Sequence, residues 1–487
     1  MRDIKIREWV VIPVRLSITI IIYPQFIIIR IKGILLEWFL TMQKKKVVII
    51  GALGMDFHVF NTVFRDNEEY EVIAFTIAGE QNVGTIEGAE RKYPAELAGK
   101  LYPKGIPMLP EEHLEEIIIL HQIDEVVFAY SDVSHDELMH KGSRVLSAGA
   151  NYRLISGKFT QIKSNKPVVA ICAVRTGCGK SQVSRATYRY LMSKGYKVVA
   201  VREPMPYGDL IKQNVMRFEK YEDLDKYDCT IEEREEYEPY IEQGLVIYSG
   251  VDYEKIVREA EKEADVIIFD GGNNELSFYV PDLLFVVVDP LRPGHEMKYH
   301  PGEVNARSAD AFVVNKMNNA KPEDVKIVEN NLNKLNPDAT KIYTNSVVTV
   351  EGNPDLKGKK VIVVEDGPTL THGSMSYGAG FVAATNSGAI IIDPKPYIVG
   401  TMKKVFEEFP QITQIVPAMG YNDQQIKDME ETLNKAECEL IIDGSPIDLE
   451  KLINSNKPII RVSYDIEAVK SPTIEEALDK FIEKNLK

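Results

Sequence analysis

The chain has 487 residues, 44% hydrophobic and 27% charged, which is an ordinary globular balance and too long for one core; at about 100–200 residues per domain, two to four domains are expected. Its 58 basic and 73 acidic residues give a net charge of −15, which argues against a nucleic-acid partner and allows an anionic ligand only where basic side chains gather. The four cysteines, Cys172, Cys178, Cys229 and Cys438, show neither metal-ligand spacing nor a disulfide framework, so a reducing cytoplasmic setting is expected.

Residues 1–41 do not match the rest of the chain. They are rich in isoleucine, but Arg15 and Arg30 interrupt them, and the uncharged run of 14 residues between those arginines contains Pro24. A spanning helix needs about 18 or more apolar residues, so no membrane span is expected. The first reading is an extension upstream of the natural start; a membrane-surface anchor and a packed element are the alternatives. From Lys44, short apolar runs alternate with helical periodicity, the pattern of parallel strands in a doubly wound sheet. A Rossmann-like unit is placed at 42–160, and a polar linker comes after it. A second series of apolar runs fills 165–350 and a third, smaller one 358–487. The fold class is therefore α/β: three α/β units with mostly parallel sheets.

The most informative segment is "ICAVRTGCGKS" at 171–181. A strand-like run precedes it, and a helical pattern closing on Gly195 comes after it. This is the context of a phosphate-binding loop. Glycines let backbone N–H groups point at phosphate oxygens, a lysine reaches the β- and γ-phosphates, and a hydroxyl ligates Mg²⁺. Arg175, Thr176, Gly177, Cys178, Gly179, Lys180, Ser181 and Gln182 form the expected nucleotide set. The standard form has a glycine where Val174 stands, so the loop resembles the dethiobiotin-synthetase-like branch of these NTPases. Asp270 ends the apolar run "DVIIFD" and is the expected metal carboxylate, with Ser181. Glu203 is a further metal candidate, its alternative being a solvated loop carboxylate. Asn315, Lys316 and Asn318 form a base-binding edge resembling the Asn-Lys-x-Asp of G proteins. An amide at 318 cannot accept from both guanine N–H groups, which favours ATP while leaving GTP possible.

A run of cations, Arg292, His295, Lys298, His300 and Arg307, comes after a β-run and is expected to line a pocket for a highly charged anion. Arg202 lies nearby in the pattern, and the glycine-rich stretch 364–380 adds Glu365, Asp366, Thr369, Thr371, His372 and Gly373. For both stretches the alternative is an ordinary surface connection. In the first unit, Gly51 and Gly54 lack the third glycine of a dinucleotide fingerprint. Asp132 and its neighbours Ser131, Ser134 and His135 sit at a strand end, either facing a ligand or capping a helix.

The segments "AVRTGCGKS", "REPMPYGDL", "CTIEEREEYEP", "DGGNN", "DPLRPGHE" and "EDGPTLTHG" resemble an archaeal and bacterial family of predicted GTPases related to cyclic 2,3-diphosphoglycerate synthetase, over residues 44–487. The resemblance implies ATP-dependent closure of 2,3-bisphosphoglycerate to its cyclic anhydride. Lys180 would act on the transferring phosphoryl group, Ser181 and Asp270 on Mg²⁺, and Arg292, His295 and Arg307 on the substrate. Arg202, Lys298, His300, Thr371, His372 and Gly373 would complete that pocket. The competing readings are a GTPase or ATPase acting as a switch or chaperone, and a ligase or kinase for another small anion. A homodimer is expected, because this NTPase branch commonly dimerises.

Overall fold

The computed structural model describes residues 18–23, 26–31, 34–39, 44–52, 54–77, 91–203, 208–272, 275–371, 375–419 and 423–486. The described part of residues 1–41, Ile18–Tyr23, Phe26–Ile31 and Ile34–Phe39, pairs as antiparallel strands, apart from the sheets numbered below, and the rest of that segment lies outside the described residues. So do His372 and Gly373.

The chain is α/β, as its alternating pattern requires. The first sheet has six strands, in the order Asn151–Leu154, Glu125–Phe128, Lys45–Ile50, Tyr70–Ile77, Ile106–Pro110, Lys92–Tyr93. All neighbours are parallel except the last pair. Val47–Ile50 are fully buried, and each such aliphatic side chain contributes about 1.5–3 kcal/mol on leaving water. The strand order reverses between Lys45–Ile50 and Glu125–Phe128, so the crevice at their carboxyl ends faces outward from this sheet.

The second sheet has 13 strands. Seven parallel strands form most of its first part: Ile247–Ser249, Val198–Arg202, Val266–Asp270, Val168–Ala173, Leu283–Val288, Ala311–Val314 and Thr340–Val350. The central ones, Val168–Ala173, Val266–Asp270, Leu283–Val288 and Ala311–Val314, read as continuous apolar runs, as strands buried on both faces do. Thr340–Val350 is long. Its first residues, up to Tyr343, pair with Ala311–Val314, and its remainder runs on to pair antiparallel with Ile459–Lys470. That strand in turn pairs parallel with Leu440–Gly444, which pairs parallel with Lys360–Asp366. The antiparallel step reverses direction, so the carboxyl ends of the last group, Asp366 and Gly444, are turned toward the carboxyl ends of the first. Ligands bind at the carboxyl ends of parallel strands, and here two such sets oppose each other across one cavity.

The segment after Val288 does not line that cavity as a cationic strip. Tyr299–His300 pairs antiparallel with Val133–Ser134, which leads out of the first sheet, and so ties the two sheets together.

Candidate functional site

The strand Val168–Ala173 is wholly buried and delivers the loop to the helix Lys180–Ser193. Gly177 and Gly179 hold φ of +79° and +100°, which only glycine adopts without strain. A Cβ on Gly179 would lie 2.2 Å from Asn315 Nδ2. Asn315 donates to Cys178 O (3.1 Å), and Lys316 Nζ donates to Gly177 O (2.6 Å) while pairing with Asp289 (3.0 Å). The Asn-Lys pair therefore braces the loop from the neighbouring strand end.

Asn318 braces a neighbouring strand. Its amide nitrogen donates to Ser346 O (2.9 Å) and its oxygen accepts from Ser346 N (3.1 Å). One N–H and one lone pair of the amide are thus engaged by the main chain of Thr340–Val350.

Asp270 is fully buried. It accepts from Lys180 Nζ (2.8 Å), Arg202 Nη1 (2.9 Å) and Tyr240 Oη (2.8 Å). Burial alone would raise its carboxyl, but Lys180 and Arg202 outweigh that and hold it well below the usual carboxylate range. Arg202 also pairs with Glu236. Ser181 lines the cavity beside Lys180. These residues fit a Mg²⁺ ion held by Ser181 and nucleotide phosphates, with Asp270 behind it, since Mg²⁺ is usually bound through one or two protein ligands plus phosphates and waters. Among the described residues no cluster of three or more His, Cys, Asp or Glu could hold a metal on its own. Glu203 does not join Ser181. It is buried against Glu275, with Asp56 near, and burial together with Glu275 pushes its carboxyl well above the usual value.

Arg175 is buried, pairs with Asp132 (3.1 Å) at the end of a first-sheet strand, and stacks over Tyr299 (3.7 Å). Thr176 N donates to the same aspartate (3.4 Å). Asp132 thus anchors the phosphate loop from the first sheet, and Ser134 caps the helix His135–Ala148.

The other predicted cations divide. Arg292 lies beside the loop, bonded to Asp289 (3.0 Å) and 3.5 Å from Cys178 Sγ. Burial, then Arg175 and Arg292, push His295 down to about 4, so it is neutral at pH 7. Lys298 is exposed. His300 packs on the first sheet, and burial lowers it to about 4. Arg307 is exposed and paired with Glu303 (2.5 Å). Thr371 bonds within its own turn, to Gly367 O (3.0 Å). Lys298, His300, Arg307 and Thr371 are therefore not gathered with the loop, contrary to the expected anion pocket: the segment is consumed in docking two sheets.

Acidic side chains stand opposite the loop, with Arg185 and Arg202 on the wall between. The cavity runs from Lys180 and Ser181 to Glu365 and Asp366 at the opposed strand end, with Glu235 and Glu236 on its side. Thr369 and Met375 close over Gly177. Glu365 is buried and accepts from the N–H groups of Gly378 (3.1 Å), Gly380 (3.2 Å) and Phe381 (2.7 Å). Burial outweighs those bonds and pushes it up to about 7. Burial pushes Asp366 up to about 6. Glu235 and Glu236 were not singled out in the sequence, although the acidic run "EEREEYEP" after Thr230 was the available signal. Arg185, also on this wall, was missed because one arginine on an amphipathic helix carries no signal.

No protein-family model matches the sequence. The chain is 57% identical over 440 residues to the arginine synthetase ArcE of Thermococcus kodakarensis, covering 90% of this chain and 97% of that protein. Among solved structures it is similar to LpxK from Aquifex aeolicus in complex with ATP (14% identity, 77% of this chain and 97% of that chain, TM-score 0.41). It is also similar to a ParA family ATPase from Chlorobium tepidum (15% identity, 37% of this chain and 84% of that chain, TM-score 0.23). Likenesses at these scores carry no argument. The curated relative does: the chain belongs to the arginine synthetase ArcE family and is an NTP-using synthetase.

Proposed function

We propose that this member of the arginine synthetase family forms arginine, using the γ-phosphoryl group of ATP to activate an oxygen. The observation that carries the reading is the charge layout of the cavity, cationic at the phosphate loop and acidic at the opposed strand ends. Completing a guanidinium from a ureido group replaces a C–O bond by a C–N bond, and the ureido oxygen leaves only once it is phosphorylated. In the proposed sequence the γ-phosphoryl moves to that oxygen and ADP is released. Ammonia then attacks the ureido carbon, the C–N bond forms, and the C–O bond breaks as inorganic phosphate departs. Ammonium and the product guanidinium are both cations.

Lys180 and the loop N–H groups hold the phosphates, with Gly177 and Gly179 giving the backbone its turn. Mg²⁺, held by Ser181, would neutralise charge on the phosphates. Asp270 holds Lys180 and Arg202 in place. Glu365, titrating near neutrality, is suited to take the proton that ammonium must lose before attack. The neighbouring carboxylates stabilise the guanidinium as its charge develops.

Closure of 2,3-bisphosphoglycerate is the finer reading that the sequence resemblance implies. That substrate carries about four to five negative charges, and the strand ends opposite the loop present Glu365 and Asp366 to it rather than cations. The arginine reading is therefore preferred. A hydrolytic switch or chaperone would show NTP turnover without a condensed product.

The test is incubation with Mg-ATP, ¹⁵N-ammonium and the ureido counterpart of arginine, with 2,3-bisphosphoglycerate in a parallel reaction. The reading predicts ¹⁵N-arginine with one ADP and one phosphate each. A cyclic diphosphate from the parallel reaction, or phosphate release without arginine, overturns it.

A further inference from the structure

Arg185 lies on the helix Lys180–Ser193, one turn beyond Ser181. It is 8% exposed and faces the cavity. The other buried cations around the loop have carboxylate partners: Lys180 with Asp270, Arg175 with Asp132, Arg202 with Asp270 and Glu236, and Lys316 with Asp289. Arg185 makes no hydrogen bond or ion pair with any described residue. A guanidinium cannot shed its proton to escape burial, so an unpaired one facing a cavity is a receptor for an anion.

Two anions could meet it: a nucleotide phosphate, or the carboxylate of the second substrate. The phosphates belong at Gly179–Ser181, where N–H groups and the helix terminus converge, and Arg185 is set about 6 Å further along the helix axis. Its surroundings also disfavour a polyanion. Glu235 and Glu236 line the same wall, and their charges act with that of Arg185 on the Tyr464 hydroxyl. Glu236 pairs with Arg202, which leaves the Arg185 guanidinium without a described partner beside the Glu235 side of the wall, and such a mixed surface fits a zwitterion.

We infer that Arg185 binds the α-carboxylate of the amino-acid substrate through its planar fork, with the α-ammonium on the Glu235 side of the same wall. This assignment rests on the arginine-forming reading. It makes Arg185 a specificity residue: ligands of the same side-chain chemistry that lack the carboxylate are rejected because the guanidinium stays buried and unpaired.

The experiment is equilibrium binding of arginine, of decarboxylated arginine and of ADP to the full chain and to its Arg185→Met and Arg185→Lys variants. The wild type is expected to prefer arginine over the decarboxylated amine by about thirtyfold or more. Arg185→Met should lose that preference, and Arg185→Lys should keep a reduced one, because lysine retains the charge without the fork. ADP affinity should stay within about twofold in both variants, which also reports that they are folded. Unchanged preference in Arg185→Met overturns the inference alone. A selective loss of ADP affinity places Arg185 at the nucleotide and overturns it too. Failure of the wild type to bind arginine overturns both the inference and the reading it rests on.

Discussion

One amide at 318 closes two hydrogen bonds on Ser346, so its replacement tests what the position does. Asn318→Asp keeps the acceptor and loses the donor to Ser346 O. The expected result is a loss of about 1–2 kcal/mol of stability and no gain of GTP over ATP, measured by thermal unfolding and nucleotide titration. A tenfold or greater swing toward GTP would assign position 318 a base-reading role. Glu365 and Asp366 give a pH dependence whose sign is set by their raised values of about 7 and about 6. Between their ordinary range and those values the folded protein holds protons that the unfolded chain has released. Their contribution to stability is therefore present at low pH and is lost as pH rises through the window. A cationic ligand needs the ionised form, so arginine affinity should rise about tenfold or more from about pH 5.5 to about pH 8. Glu365→Gln should flatten that profile, and a wild-type profile without slope would remove these carboxylates from the ligand. The turn at Gly177 and Gly179 was legible because its positive φ values call for glycine. The contact of Asn318 with Ser346 was not, because spacing shows a side chain's type and not its partner.

The element that decides nucleotide binding is the loop with its brace. In Gly179→Ala the added Cβ meets a positive φ and the Asn315 amide 2.2 Å away. The strain is about 1–2 kcal/mol, and moving Asn315 also frees Cys178 O. ADP affinity should fall by about tenfold or more with only a small change in melting temperature. Unchanged affinity would show that the loop tolerates a different turn. The segment 289–310 shows the opposite limit of sequence reading. Its cations are as dense as those of an anion pocket, but Arg307 serves Glu303 and His300 packs on the neighbouring sheet. Composition reports charge density, whereas the burial of His300 depends on Val133, more than a hundred positions away, and Arg307 is taken up locally by Glu303 one helical turn before it.

At the scale of the whole molecule, the decisive feature is the antiparallel joint between Thr340–Val350 and Ile459–Lys470. It turns the carboxyl ends of two parallel strand sets toward each other, so a phosphate loop and a carboxylate wall share one cavity. The α/β class was legible from alternating apolar runs, because burial on both faces forces that pattern. The joint was not, since a half-exposed strand such as "TKIYTNSVVTV" alternates weakly and resembles a connection. The first sheet acts on the same cavity through Asp132, which holds Arg175 and Thr176 without lining the cavity itself. The central claim is that the phosphoryl group held at one end activates an oxygen presented from the other. It is tested most directly by labelling the ureido oxygen of the amino-acid substrate with ¹⁸O and following phosphate by phosphorus NMR during turnover with Mg-ATP and ammonium. The account predicts one ¹⁸O atom in each phosphate released, matched by arginine formed; arginine accompanied by unlabelled phosphate would contradict it.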